Sequence, residues 1–104
     1  MATYRVDISE PAERDLRDIV KYISSQLSAP ETALSMLERI ESAMLRLSDM
    51  PQRHPFASDE RLAQMGYRLL RVKNYIVFFS IDQQRQIVDI ERILYARRDW
   101  MRML

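Results

Sequence analysis

Between positions 66 and 94 the apolar residues alternate in three runs, 67–72, 75–81 and 86–94, and a period of two predicts three consecutive strands. In the middle run Tyr75, Val77, Phe79 and Ile81 fall on one side, Ile76 and Phe78 on the other, and only Ser80 is polar. Both faces are therefore apolar, which predicts a central strand covered on each side. Lys73-Asn74 separates the first two runs; asparagine tolerates positive φ, so a tight hairpin is expected there. Asp82-Gln83-Gln84-Arg85 predicts a polar four-residue turn for the second connection. In the third run Val88 and Ile90 share a face, Arg92 stands where an apolar residue is due, and Ile93 is out of step. A bulge, or an arginine turned toward a site, accounts for that irregularity.

Residues 3–9 alternate too, Tyr4, Val6 and Ile8 against Thr3, Arg5 and Asp7, and predict a half-buried strand added to the same sheet. At Ser9-Glu10-Pro11 the period becomes helical. Ser9 or Glu10 can cap, and Pro11 suits a first turn because its missing N–H had no partner there. Ala12, Leu16, Ile19, Val20, Ile23 and Leu27 form the buried stripe, with Glu13, Arg14, Arg17, Asp18 and Lys21 opposite. Ser28-Ala29-Pro30-Glu31 has the form of a capping box and opens a second helix. Ala33, Leu37, Ile40, Met44 and Leu47 make its stripe, widened by Leu34, Met36 and Met50, and Met50-Pro51 ends it. Neither helix can bury its stripe alone, so the two form an antiparallel hairpin across the sheet. Residues 51–65 read as a loop with a short helical turn at 59–64, the place for a partner-contacting segment.

Composition narrows the chemistry. A length of 104 residues predicts a single α+β domain over 1–104, and 47% hydrophobic with 30% charged residues is ordinary for a soluble globular protein. Cysteine is absent, which excludes disulfides, thiolate zinc sites and cysteine nucleophiles; the one histidine, His54, makes no metal cluster, so no metal is expected. One glycine cannot build a phosphate-cradling loop, and no cofactor is expected. No apolar run is long enough to span a membrane and no basic-then-apolar leader opens the chain, so a cytoplasmic protein is expected. The methionines read as core filler. Asp89 and Glu91 share a strand face, where acids facing basic neighbours read as plain ion pairs.

The formal charge of +1 is unevenly spread: residues 1–60 hold 7 Lys/Arg against 11 Asp/Glu, and residues 61–104 hold 9 against 4. The strand half is therefore basic, with Arg61, Arg68, Arg71, Lys73, Arg92, Arg97 and Arg98 interleaved with Tyr67, Tyr75, Tyr95 and Trp100. Guanidinium groups bind phosphate bidentately and aromatic rings stack on bases, so this set suits RNA or an acidic protein surface. The expectation is that these groups face outward on the side of the sheet that the helices leave uncovered.

In this order, strand, helix hairpin, three antiparallel strands and basic tail, the chain resembles the RelE/ParE superfamily of type II toxin–antitoxin toxins, the plasmid stabilisation family. The resemblance rests on the opening strand followed by Ala12, Leu16 and Ile19, on Gly66-Tyr67-Arg68, on Asn74-Tyr75-Ile76-Val77-Phe78-Phe79, and on Ile90-Glu91-Arg92-Ile93-Leu94-Tyr95 leading to Arg97-Arg98-Asp99. It implies a toxin neutralised by a cognate antitoxin in a hetero-oligomer. In RelE-like members a metal-independent endoribonuclease cuts mRNA on the ribosome; here the matching candidates are Arg68, Arg71, Arg97 and Arg98, with Tyr95 or Trp100 as the aromatic group. Where those nucleases carry an arginine after the middle-strand tyrosine, this chain has Ile76. ParE-like members instead poison DNA gyrase, and the modest net charge leans that way, with Arg61, Lys73, Arg92 and Trp100 as target-binding candidates. An inert antitoxin-binding relic is the remaining reading.

Overall fold

The structure is a computed structural model in which residues 3–96 are described. The late strands β2 (Arg68–Val72), β3 (Tyr75–Asp82) and β4 (Ile87–Tyr95) form the expected antiparallel meander, and β1 (Arg5–Ile8) joins it parallel to β4. Across the sheet the order is β1-β4-β3-β2, so β1 and β2 are its edges. A parallel pair cannot be closed by a tight turn; the crossover is supplied by the helix hairpin.

Helix α1 (Glu10–Lys21) begins at Ser9, whose hydroxyl accepts from the Ala12 N–H at 3.1 Å and donates to the Glu91 carbonyl at 3.0 Å. One side chain thus caps the helix and pins it to β4. After α1 a π turn, Tyr22–Gln26, leads to α2 (Pro30–Leu45), which ends in a 3-10 turn at Arg46–Ser48. The expected capping box does not form. Ser28 has φ 49° and carries the chain reversal, so the cap position passes to Ala29, which has no side chain to offer the first turn.

On the hairpin side of the sheet, Val77 and Phe79 of β3 with Val88, Ile90 and Ile93 of β4 pack on Ala12, Ile40, Ala43, Met44 and Leu47. The opposite face presents Ile76, Phe78 and Leu94, covered by Ala57 and by Leu62 of α3 (Glu60–Gln64), a short helix capped by the Asp59 carboxylate. The two-sided pattern of β3 therefore corresponds to two apolar layers of unequal size. Leu27, Leu34 and Met50 lie outside the stripe expected of them, each 56% exposed. Leu27 and Met50 sit where the chain turns, Met50 at φ 47°, and Ala43 takes an inward position that the stripe did not include. Ile8, at the end of β1, is also exposed.

The irregularity in the third run is a bulge. Phe78 pairs with Arg92 and Phe79 with Ile90, leaving Glu91 as the extra residue, so Ile90 and Ile93 reach the same core although they are three apart. In the first hairpin the positive φ falls on Lys73, at 55°, and not on Asn74. The second turn lies one residue later than expected, at 83–86; Gln86 has φ 56° and the Asp82 carboxylate accepts from the Arg85 N–H at 3.0 Å. The Tyr4 hydroxyl donates to Gln83 at 2.9 Å and accepts from Gln52, which ties this turn to the segment after α2.

Ser9→Ala should lower stability by about 1–2 kcal/mol in urea unfolding, since it removes both a cap and a cross-element bond, while Ser9→Thr retains most of it.

Candidate functional site

The bulge in β4 decides where Arg92 points. It turns the side chain toward α1, where Asp15 receives Arg92 Nε at 2.7 Å, Arg92 Nη2 at 2.9 Å and the Ile93 N–H at 3.0 Å. The pair is mostly shielded, with 21% of the arginine side chain and 12% of the aspartate exposed. The bond to Asp15 holds the guanidinium above its ordinary pKa, against the opposing effect of burial. Arg92 therefore binds the hairpin to the bulge. Asp15 was not singled out by the sequence, because in a helix wheel it sits beside a charged arc and its partner lies 77 positions away.

Arg68 is likewise engaged inside the molecule. Its guanidinium lies 3.9 Å from the centre of the Phe56 ring and donates to the Gln52 and His54 carbonyls at 3.1 and 2.7 Å. It staples the loop after α2 to the sheet. His54 sits edge-on to Phe79 at 5.9 Å, and burial, then the charges of Arg53 and Arg68, push its pKa down. A neutral imidazole wedged between the loop and the core follows.

Among the described residues the remaining candidates do not converge. Arg61 is exposed on α3 and Arg71 is exposed on β2, with Nε donating to the Lys73 carbonyl at 3.2 Å. Tyr95 stands at the far end of β4, edge-on to Tyr75 at 5.6 Å. Arg97, Arg98 and Trp100 lie outside the described residues. Asp89 and Glu91 share the face away from the hairpin; Glu91 accepts from the Ser80 hydroxyl at 2.8 Å, and Asp89 adds a smaller effect to Asp7 in raising the pKa of Arg5. Among the described residues no group of three or more potential ligands is placed to hold a metal ion.

Two clefts flank the hairpin. One, of about 740 Å³ between α2 and β2, gathers Arg71 and Lys73 with Arg39 of α2 and Arg46 of the 3-10 turn after it. The other, of about 820 Å³, lies between the turn of the hairpin and the ends of β3 and β4, and joins Tyr22, Leu27, Tyr75 and Tyr95 to Asp15 and Asp18. The first is cationic; the second is apolar, with Asp18 at its lip and Asp15 paired with Arg92 in the same lining. Of the proposed catalytic candidates, Arg71 lines the first cleft and Tyr95 the second. Burial pushes the Tyr67 and Tyr75 phenols up, so each is a donor and not a base near neutral pH.

The profile of the family described as "ParE toxin of type II toxin-antitoxin system, parDE" matches residues 6–100. No curated protein matches the chain. Among solved structures, the chromosomal ParDE toxin–antitoxin system of P. aeruginosa is similar with TM-score 0.76 at 18% identity, over 93% of this chain and 100% of that one. The toxin–antitoxin complex RelBE2 of Mycobacterium tuberculosis has TM-score 0.64 at 26% identity, over 92% and 95%. A mutant of the E. coli toxin RelE in the free state has TM-score 0.65 at 10% identity, over 97% and 92%, a likeness of fold.

Asp15→Ala should cost about 2–4 kcal/mol in chemical unfolding because it strands a shielded guanidinium and the Ile93 N–H, and adding Arg92→Met should recover part of that loss. His54 is depressed in the folded state, so the unfolded chain binds more protons as pH falls from its ordinary value of about 6.5. Stability should therefore decline below that point until the folded-state pKa is passed, with a flatter profile for His54→Gln, read from urea midpoints across pH.

Proposed function

Because this chain belongs to the ParE toxin family of type II toxin–antitoxin systems, we propose that it is the toxin of such a pair, held inactive by a cognate antitoxin, and that it acts in the cytoplasm by poisoning DNA gyrase. The observation that carries the choice of target is the dispersal of the cations among the described residues. Metal-independent cleavage of RNA needs a base in reach of the 2′-OH and several donors aimed at one phosphate, about 3 Å from its oxygens. Arg68 is spent on the Gln52 and His54 carbonyls and Arg92 on Asp15, while Arg71 and Lys73 lie at the edge of the sheet by α2. Ile76 is buried in an apolar layer, and the face that the helices leave is roofed by Ala57 and Leu62.

On this reading the toxin works by contact. Arg61, Lys73 and Trp100 meet the target, and Arg92 acts indirectly by fixing α1 against β4. The 26% identity to the toxin–antitoxin complex RelBE2 supports the alternative, a ribosome-dependent mRNA endonuclease in which Arg97 and Arg98, with Tyr95 or Trp100, supply the phosphate contacts.

Induced expression should arrest growth and be relieved by the protein encoded next to it. Purified toxin should then accumulate cleaved gyrase–DNA complexes with unmodified ribosomes left inert. Cleavage of mRNA in a translating ribosome, lost on Arg97→Ala with Arg98→Ala, would transfer the assignment to the endonuclease. Growth without arrest would leave an inert relic.

A further inference from the structure

Ser35, Arg39, Ser42 and Arg46 recur along the hairpin at steps of four, three and four, the spacing that sets side chains in one row on a helix, and all four line the cleft of about 740 Å³. At a rise of about 1.5 Å per residue this row of donors is about 16 Å long. On the opposite wall stand Arg71, near the end of β2, and Lys73 of the turn that follows it; Glu38 is the one acid in the lining. None of the four cations is ion-paired with an acid among the described residues. Arg71 spends its Nε on the Lys73 carbonyl at 3.2 Å, which orients the guanidinium and leaves its two Nη groups for a ligand.

Two walls of like charge call for an anion that is itself a line of charge. Arg39 and Arg46 are about 10 Å apart along the helix, which matches about three phosphates at the axial spacing of about 3.4 Å in one strand of a duplex. Guanidinium, ammonium and hydroxyl groups are the side chains that hold phosphate oxygens in register. Among the described residues no aromatic ring lines the cleft, so unpaired bases have no platform on which to stack. An acidic peptide carries its charges on mobile side chains and loses that freedom at every contact, whereas a duplex presents them already in line.

We propose that this cleft binds the phosphate backbone of a nucleic-acid duplex without reading its sequence. Arg39 and Arg46 meet successive phosphates of one strand, Ser35 and Ser42 add hydroxyl donors between them, and Arg71 with Lys73 closes the contact from the strand side. Glu38 opposes it and limits its strength. Within the toxin reading the same contact seats the chain on the DNA that gyrase holds; that placement rests on the toxin reading, and the contact itself does not.

The test needs only the full chain, without gyrase, and a short fluorescent DNA duplex, followed by anisotropy over a series of salt concentrations. Four phosphate contacts give a slope of log K against log salt of about −3 to −4. Arg39→Gln with Arg46→Gln, and separately Arg71→Gln with Lys73→Gln, should each make that slope shallower by about 2 and weaken binding about tenfold or more at low salt. Arg39→Lys with Arg46→Lys should keep the slope, Glu38→Gln should tighten binding a few-fold, and changing the duplex sequence should do nothing. Arg14→Gln with Arg17→Gln makes the same change of net charge on the outer face of α1 and should leave the slope unaltered. All of these residues are exposed, so the variants should keep the wild-type circular dichroism. No binding at low salt, an equal loss from the Arg14 and Arg17 pair, or tighter binding of a single strand or of a glutamate-rich peptide than of the duplex would overturn the proposal. Growth arrest is scored separately: a toxic chain that ignores the duplex sinks the cleft alone, and a harmless chain that binds it sinks the toxin assignment alone.

Discussion

The arrangement of this molecule depends on one carboxylate. Asp15, on the inward shoulder of α1, accepts from both the guanidinium of Arg92 and the backbone N–H of Ile93, just past the β4 bulge and beyond Ile90, the last residue of β4 that β1 pairs. There β4 has lost its outer strand partner, and a buried N–H without a partner costs about 1–3 kcal/mol. Here the first helix supplies that partner, so the sheet's defect and the position of the hairpin are settled by the same bonds. Ser9 repeats the device one turn earlier, capping α1 while donating to the Glu91 carbonyl at the bulge.

With α1 fixed in this way, the cations separate by role. Arg92 and Arg68 are held by carboxylate, carbonyls and an aromatic face, and their charge is consumed in keeping helix and loop in place. Arg71, Lys73, Arg39 and Arg46 have no carboxylate partner among the described residues and line the cleft on the α2 side. An arginine whose donors are already satisfied cannot tighten on a developing phosphate charge without breaking the contact that holds it. This is the physical reason for reading the chain as a toxin that binds its target in preference to one that cuts RNA.

The two clefts then differ in what they can accept. One offers cations beside strand backbone; the other offers tyrosines and aliphatic groups with Asp18 and the Asp15–Arg92 pair at its lip. The positive field of the first cleft orients an acidic partner before contact is made, since complementary fields steer association and penalise the reversed pose. The +5 bias of residues 61–104 underlies part of this field, and α2 contributes the rest from a half whose overall sign is negative.

Periodicity by itself determined the strands, the helix pair, the two-sided burial of β3 and an irregularity at Arg92 that a bulge or a turned arginine explains, because each of these is a local pattern. It also placed the first cap at Ser9 or Glu10, of which the fold uses Ser9, whereas the box at Ser28 had the right residue types and failed because the hairpin's reversal claimed that backbone. Tertiary structure alone decided which arginines are available. A basic residue looks the same in sequence whether its partner is solvent, Asp15 77 positions away or a carbonyl in the next loop, and that pairing is fixed only when the chain closes on itself. The grouping of Arg39 and Arg46 with Arg71 and Lys73 is of the same kind, since it requires α2 to lie along the edge of β2.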